Sequence, residues 1–227
     1  MVEFFGSAGG SDSRRRLMAI LGGGVVLIVL VWLIAPGRRY GDVDADLERI
    51  YRMRDRKDVA GLTRAVQDSS PRIATEALAA LVAVSGKNAP QVVQQAIADG
   101  RPEVRQAAAV QFANVGSREN VAALVELLKG DPAPQVRAAA AQSLGKLRSW
   151  AGLDAAIDAL DDADLEVRRQ AIAAVEKIMG VRFAQYRPEG PAAQRRAFQA
   201  FVRQRTPVAK EAYDEFMNRL QQQESRK

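Results

Sequence analysis

The chain has 227 residues and a formal net charge of +6, and 48% of its residues are hydrophobic although only 6% are aromatic. It contains neither Cys nor His, which excludes disulfides, thiol nucleophiles and zinc sites that use those ligands. The apolar residues are mostly Ala, Val and Leu without strand-like alternation, and this pattern predicts an all-α fold.

Most of the excess positive charge lies in the C-terminal part of the sequence. Residues 59–180 carry 13 Lys and Arg against 14 Asp and Glu, whereas residues 181–227 carry 10 against 5. A nucleic-acid-binding surface needs a basic stripe along the domain, and the central region has none. Nucleic acid is therefore not the expected partner.

The N-terminal region has the pattern of a membrane anchor. Residues 1–16 are rich in Gly and Ser and end in three arginines, which predicts a disordered tail. Residues 17–36 form an uncharged apolar run, and about 20 such residues cross the hydrocarbon core of a bilayer. We predict one transmembrane helix, as in a single-pass protein of a bacterial inner membrane. A cleaved signal peptide and a buried core helix are the alternatives.

The orientation of this anchor follows from the arginines on either side of it. The cluster Arg14–Arg16 favours a cytoplasmic N-terminus and an extracytoplasmic repeat region. The arginines between Arg38 and Arg56 favour the opposite orientation, and the short cationic tail weighs slightly more. Three consecutive glycines at 22–24 do not have the spacing of a helix-dimer motif, so the oligomeric state stays open.

Residues 37–58 are predicted to form a linker and an entry helix. In this prediction residues 40–43 are a spacer, and Asp44 is the N-cap of a helix that places Leu47 and Ile50 on one face. That face is suited to pack on the element that follows.

Residues 59–180 contain an internal repeat. Four apolar residues recur at separations of 31, 32 and 31 positions, namely Ile73, Val104, Val136 and Val167. Each has an Asp five positions earlier, an Ala four positions later and a large apolar residue eight positions later, and three have a Pro two positions earlier. A fixed period of this kind predicts a stack of about four helix pairs.

Within each period the second helix is expected to begin at or near the Pro position, because a proline at the first helical position costs no hydrogen bond. The second helices are predicted to end near Ser85, Val115, Leu147 and Met179. The first helices are predicted over residues 59–67, 91–98, 120–128 and 153–160.

The pattern Asp-x-x-x-x-Val-Arg-x-Ala-Ala resembles the HEAT repeat family, in the short bacterial form also seen in phycobilin lyases. The clearest copies begin at Asp131 and Asp162, whereas the first copy has Ala74 in place of the Arg. The resemblance implies an α-solenoid whose second helices line a concave face that holds another macromolecule.

The resemblance also implies that the repeated Asp and Arg residues are structural. The Asp side chains are expected to cap turns and to pair with the Arg side chains in a ladder across repeats. The residues of this ladder are Asp99, Asp131, Asp162, Arg105, Arg137 and Arg168. We expect no catalytic residue, no metal and no cofactor, and hence no enzymatic activity.

If the second helices line a concave face, their polar residues outside the packed stripe are the candidate partner-binding set. This set is Gln106, Asn114, Gln142, Lys146, Arg169 and Lys177. An ordinary solvated helix face is the alternative interpretation.

Residues 181–227 are predicted to be capping helices. Phe183 and Tyr186 are placed to cover the open end of the last repeat. One helix is expected up to Arg203 and another after Thr206-Pro207, with a packed apolar stripe formed by Val208, Ala212, Phe216 and Leu220. A basic cluster is the candidate site for an anionic partner and consists of Arg195, Arg196, Arg203, Arg205 and Lys210.

Taken together, these features lead us to expect a membrane-anchored HEAT-repeat scaffold that binds a protein partner. The alternatives are an accessory subunit of a lyase-type enzyme, and a protein that binds an anionic ligand or nucleic acid through its basic C-terminal segment.

Overall fold

The computed structural model describes residues 40–68, 70–115 and 121–224. The chain divides into two units, Met1–Asp44 and Ala45–Lys227. The predicted tail and the predicted transmembrane helix, residues 1–36, lie outside the described residues. Among the helices that are described, none combines the length and the apolar character needed to span a bilayer.

The described residues form α-helices and short 3₁₀ turns, with no β-strand among them, which confirms the all-α fold. The α-helices in chain order are α1 (Tyr40–Asp55), α2 (Val59–Val66), α3 (Pro71–Ser85), α4 (Ala89–Ile97), α5 (Pro102–Val115), α6 (Val121–Gly130), α7 (Pro134–Leu147), α8 (Leu153–Asp158), α9 (Leu165–Met179) and α10 (Ala192–Glu224). The 3₁₀ turns are Gly86–Asn88, Trp150–Gly152 and Ala159–Asp161.

The helices of the second unit are stacked as a solenoid. The second helices α3, α5, α7 and α9 contact one another in that order, and each also packs against the first helix of its own pair. The alanine that recurs in every second helix is fully buried in all four, at Ala77, Ala108, Ala140 and Ala171. Alanine at this position lets neighbouring helices approach closely, and the buried side chain four residues later fills the layer between repeats.

The closest approach of two second helices is at Gly145. A Cβ added to Gly145 would lie 2.8 Å from the Cα of Ala174, which is backbone of α9 and cannot move aside alone. The glycine in the middle of α7 is therefore required by packing.

Three of the second helices begin at a proline, as predicted from the sequence. Pro71, Pro102 and Pro134 are the first residues of α3, α5 and α7. In α9, which starts at Leu165, Asp164 replaces the proline as the start signal, and its carboxylate accepts the backbone N–H groups of Glu166 and Val167.

The predicted start of the entry helix was wrong. Helix α1 begins at Tyr40, so residues 40–43 are helical and Asp44 lies inside the helix. The segment contains no proline, and acidic residues in the first turns are stabilised by the positive end of the helix dipole. Leu47 and Ile50 are buried as expected.

The prediction of two C-terminal helices was also wrong, because α10 is one continuous helix of 33 residues with Pro207 inside it. A proline in a helix interior removes one hydrogen bond. Here the hydroxyl of Thr206 donates to the carbonyl of Val202 at 3.1 Å, and Tyr213, beyond the proline, packs on the Trp150 ring. These contacts hold the helix together on both sides of Pro207.

The two halves of α10 differ in burial. Phe198 and Val202 are buried against the last repeat, together with Phe183 and Tyr186 from the connecting segment. Beyond Pro207 the described members of the predicted packed stripe are not buried, since Val208 is 71% exposed, Phe216 is 52% exposed and Ala212 is exposed. The fourth member, Leu220, has a side chain that lies outside the described part of the structure. The helix presents a different face to the solenoid, which includes Tyr213.

Candidate partner-binding surface and the Asp–Arg ladder

A ladder of guanidinium groups connects consecutive repeats. Arg105 donates from Nε and Nη2 to the two carboxylate oxygens of Asp131, at 2.7 and 3.0 Å. Arg137 makes the same paired contact with Asp162, at 2.9 and 2.8 Å. In both residues Nη1 donates to the backbone carbonyl of the Asp in its own repeat. Each Arg therefore ties two successive turns together.

The Asp residues of the ladder also close the turns in which they lie. The Oδ1 of each accepts the backbone N–H two residues further on, at Arg101 for Asp99, at Ala133 for Asp131 and at Asp164 for Asp162. Burial is the largest single influence and acts to raise the pKa of Asp131. The hydrogen bonds from Arg105 and from the Ala133 N–H, together with the charges of Arg105 and Arg137, outweigh it, so the pKa lies below its ordinary value.

No repeat with a further Asp follows the last one, and Arg168 donates to backbone carbonyl groups instead. Its Nε donates to the carbonyl of Pro188 at 2.6 Å, and its Nη1 donates to the carbonyl of Asp162 at 2.7 Å. The ladder thus continues onto the segment that covers the end of the solenoid.

The first repeat lacks the Arg, and Arg101 takes over its contacts. Arg101 forms an ion pair with Asp99 at 2.7 Å. The same guanidinium donates to the backbone carbonyls of Val66 and Asp68 in the preceding turn. Sequence reasoning missed Arg101, although Ala74 at the expected Arg position was a signal that Asp99 needed another partner.

These contacts account for the ladder carboxylates without a catalytic role. Each of Asp99, Asp131 and Asp162 accepts a backbone N–H and at least one guanidinium N–H. Within the described residues there is also no group of three potential metal ligands.

The exposed sides of α3, α5, α7 and α9 form what we call the second-helix surface. Of the six predicted partner-binding residues on it, Gln106 is half-buried and the other five are exposed. The structure brings two of them together, because Lys146 donates to the side-chain oxygen of Asn114 at 2.6 Å. Arg169 lies at the edge and pairs with Glu189 at 2.9 Å. Near Gln106 on α5 the surface also includes the side chains of Ala107 and Val110.

The predicted basic cluster on α10 is largely neutralised by neighbouring carboxylates. Arg195 pairs with Asp161 at 2.7 Å, Arg203 pairs with Asp158, and Lys210 pairs with Asp214 in the next turn. The remaining two have other environments. Arg196 is exposed, 3.7 Å from Asp161, and Arg205 stacks 3.6 Å above the Phe201 ring. The spacing along the sequence did not reveal Asp158 and Asp161 because they lie in the last repeat, whereas Asp214 lies one turn from Lys210 on the same helix.

One family model matches the chain. Residues 89–176 match the model described as HEAT repeats, and these residues run from α4 into α9. A search of the curated proteins finds no match to this sequence. Residues 89–176 are thus similar to HEAT repeats, and the described helix pairs stack as an α-solenoid.

Proposed function

We propose that this protein is a membrane-anchored HEAT-repeat scaffold that binds a protein partner through the second-helix surface. HEAT repeats in general mediate protein interactions, and the match over residues 89–176 supports that role here. One observation carries the proposal. Candidate residues on α5, α7 and α9 are exposed and available to a partner, whereas the carboxylates of the ladder already accept hydrogen bonds from within the chain. The role is non-enzymatic in this proposal.

The second-helix surface is suited to contact a protein. Its floor is made of small residues, so a partner reaches the helix backbones closely, and polar groups such as Gln142 and Lys146 stand above it. Val110 is 38% exposed and offers an apolar contact in the middle of this surface. Interfaces of this kind combine an apolar centre with a polar rim.

Photo-crosslinking in cells tests partner binding. A photoreactive residue at Gln142 on α7 should capture one protein in a stoichiometric amount. The matched control is the same residue at Glu126, which is exposed on the first helix α6. Equal capture at both positions, or none at Gln142, would contradict the use of the second-helix surface.

The membrane anchor rests on residues 17–36, and a separate experiment tests it. The full chain should remain in the membrane fraction after alkaline carbonate washing, whereas a variant that begins at residue 40 should not. A reporter fused after Lys227 should be active outside the cytoplasm if the repeats are extracytoplasmic. Full extraction of the intact chain by carbonate would refute the anchor.

A further inference from the structure

Residues at the C-terminal ends of α7 and α9 line a groove that shares Lys177 with the predicted partner-binding set. Its volume is 320 Å³. It is lined by Arg148, Ala173, Glu176, Lys177, Gly180, Val181 and Arg182. We call it the basic groove, after its three cationic residues Arg148, Lys177 and Arg182. Val181, which is 42% exposed, adds an apolar contact at its rim.

The basic groove has an excess of positive charge. Its one carboxylate, Glu176, accepts the backbone N–H of Phe183 at 2.8 Å and lies 3.6 Å from Arg182. In the described parts of the chain, no carboxylate forms an ion pair with Arg148 or Lys177. Two cations are therefore left to interact with a group from outside.

The backbone of Arg148 is an independent sign that its side chain is used. Arg148 follows α7 in the left-handed conformation, with φ of 48°. The residue that follows α9 in the same conformation, Gly180, is a glycine. Left-handed backbone is unfavourable for any residue with a side chain. The chain thus keeps a cation where a glycine would be more stable.

The groove continues into a row of polar side chains. Asn114, Lys146 and Lys177 occupy the tenth position after Val104, Val136 and Val167, on three neighbouring second helices. Packed helices lie about 8–10 Å apart, and a peptide in the extended polyproline II conformation rises about 3.1 Å per residue with three residues per turn, so that every third side chain points the same way. An extended peptide that crosses these helices therefore meets one side chain of the row about every third residue.

We propose that the basic groove and this row bind an extended acidic segment of a protein, with carboxylates about three residues apart. This inference rests on the proposed scaffold function and names the chemistry of the partner. A nucleic acid needs a longer basic stripe than the near-neutral repeats provide.

The test uses a synthetic fluorescent peptide with Glu at every third position, added to the full chain in neutral detergent. Arg148→Gly and Lys177→Gln should each weaken binding about two- to fivefold, as expected for exposed charge pairs. Lys129→Gln on the first helix α6 removes an exposed charge outside both the groove and the basic cluster, and should leave binding unchanged. The thermal midpoint of Arg148→Gly should be unchanged or raised, which separates loss of binding from loss of folding.

Three results would overturn the inference. These are no binding of the peptide, equal weakening by Lys129→Gln, and equal binding of a peptide whose Glu residues are grouped at one end. Tighter binding to anionic vesicles or to a DNA oligonucleotide would replace the acidic segment by another ligand. If crosslinking from Gln142 to a partner persists in Arg148→Gly and Lys177→Gln, the scaffold function stands and the acidic-segment inference fails.

Discussion

At the scale of single residues, the solenoid is held by charged side chains in half-buried positions. The Arg105 and Asp131 side chains are only 14% and 3% exposed. Buried ion pairs contribute little relative to an apolar pair, but removal of one partner leaves the other charge uncompensated. The ladder is therefore most sensitive to single substitutions.

Replacing Asp131 by Asn should lower the free energy of unfolding by about 3–5 kcal/mol at neutral pH, because Arg105 is left without its acceptor. The folded-state pKa of Asp131 is lowered, so its stabilising effect is complete above its ordinary value of 3.8 and is lost as the pH falls further. Urea unfolding over a range of pH should show that the free energy of unfolding of the parent declines below about pH 4, and that the decline is smaller in the variant. The exposed variant Glu126→Gln is the control. A parallel decline in both proteins would contradict the assignment.

Replacing Arg101 by Ala should cost about 1.5–3 kcal/mol, the range of a hydrogen bond to a charged group. The variant loses the ion pair with Asp99 and the bonds to the carbonyls of Val66 and Asp68. Arg101→Lys keeps the charge but not the forked geometry, so it should recover only part of the loss. Chemical denaturation measures both variants. Full recovery by Lys would show that charge alone matters.

At the scale of elements, the contact between α7 and α9 depends on the absence of a side chain at Gly145. Gly145→Ala should destabilise the protein, because the overpacking cost of about 1–3 kcal/mol exceeds the gain of up to about 1 kcal/mol in helix propensity. Gly130→Ala is the matched control, since a Cβ at Gly130 meets nothing within 4 Å. That variant should be neutral or slightly more stable. The thermal midpoints compare the two, and equal effects would refute close packing at Gly145.

We expect a Phe→Ala substitution to have different effects on stability in the two halves of α10. Phe198→Ala should cost about 3–5 kcal/mol, because the ring is buried among Phe183 and Tyr186. Phe216→Ala, where the ring is 52% exposed, should change stability by no more than about 0.5 kcal/mol. Urea unfolding of both variants is the measurement. A large loss in Phe216→Ala would mean that its face of the helix is covered.

At the scale of the whole repeat array, the last pair of helices must be closed at its free end. Tyr186 takes part in this closure, since its hydroxyl donates to the carbonyl of Leu160 at 2.5 Å and the residue is buried. Phe183 and the first half of α10 complete the covering layer. Terminal repeats require such a layer because they have no neighbour on one side.

Tyr186→Phe should cost about 1–3 kcal/mol, because the carbonyl of Leu160 loses its buried donor. Burial raises the pKa of Tyr186 to about 12, so its protonated form stabilises the fold fully below pH 10. That contribution is lost as the pH rises through 12. The midpoint of thermal unfolding should therefore fall more steeply with rising alkaline pH in the parent than in Tyr186→Phe. Identical pH profiles of the midpoint would contradict this role.

The sequence by itself determined the repeat period, the helix pairs and the starts of three second helices. These features depend on local patterns, because Pro71, Pro102 and Pro134 act on their own turns and the buried stripes recur at fixed spacing. It also pointed to the Asp and Arg residues, through a resemblance that the match over residues 89–176 supports.

Only the tertiary structure decided which side chains meet across repeats. It placed Arg101 in the role that Ala74 cannot fill, neutralised most of the basic cluster on α10, and left Val208 and Phe216 exposed. Partners such as Arg195 and Asp161 are 34 residues apart in sequence. No local sequence pattern identifies a partner so far along the chain, because the contact depends on how each helix pair is rotated against the next.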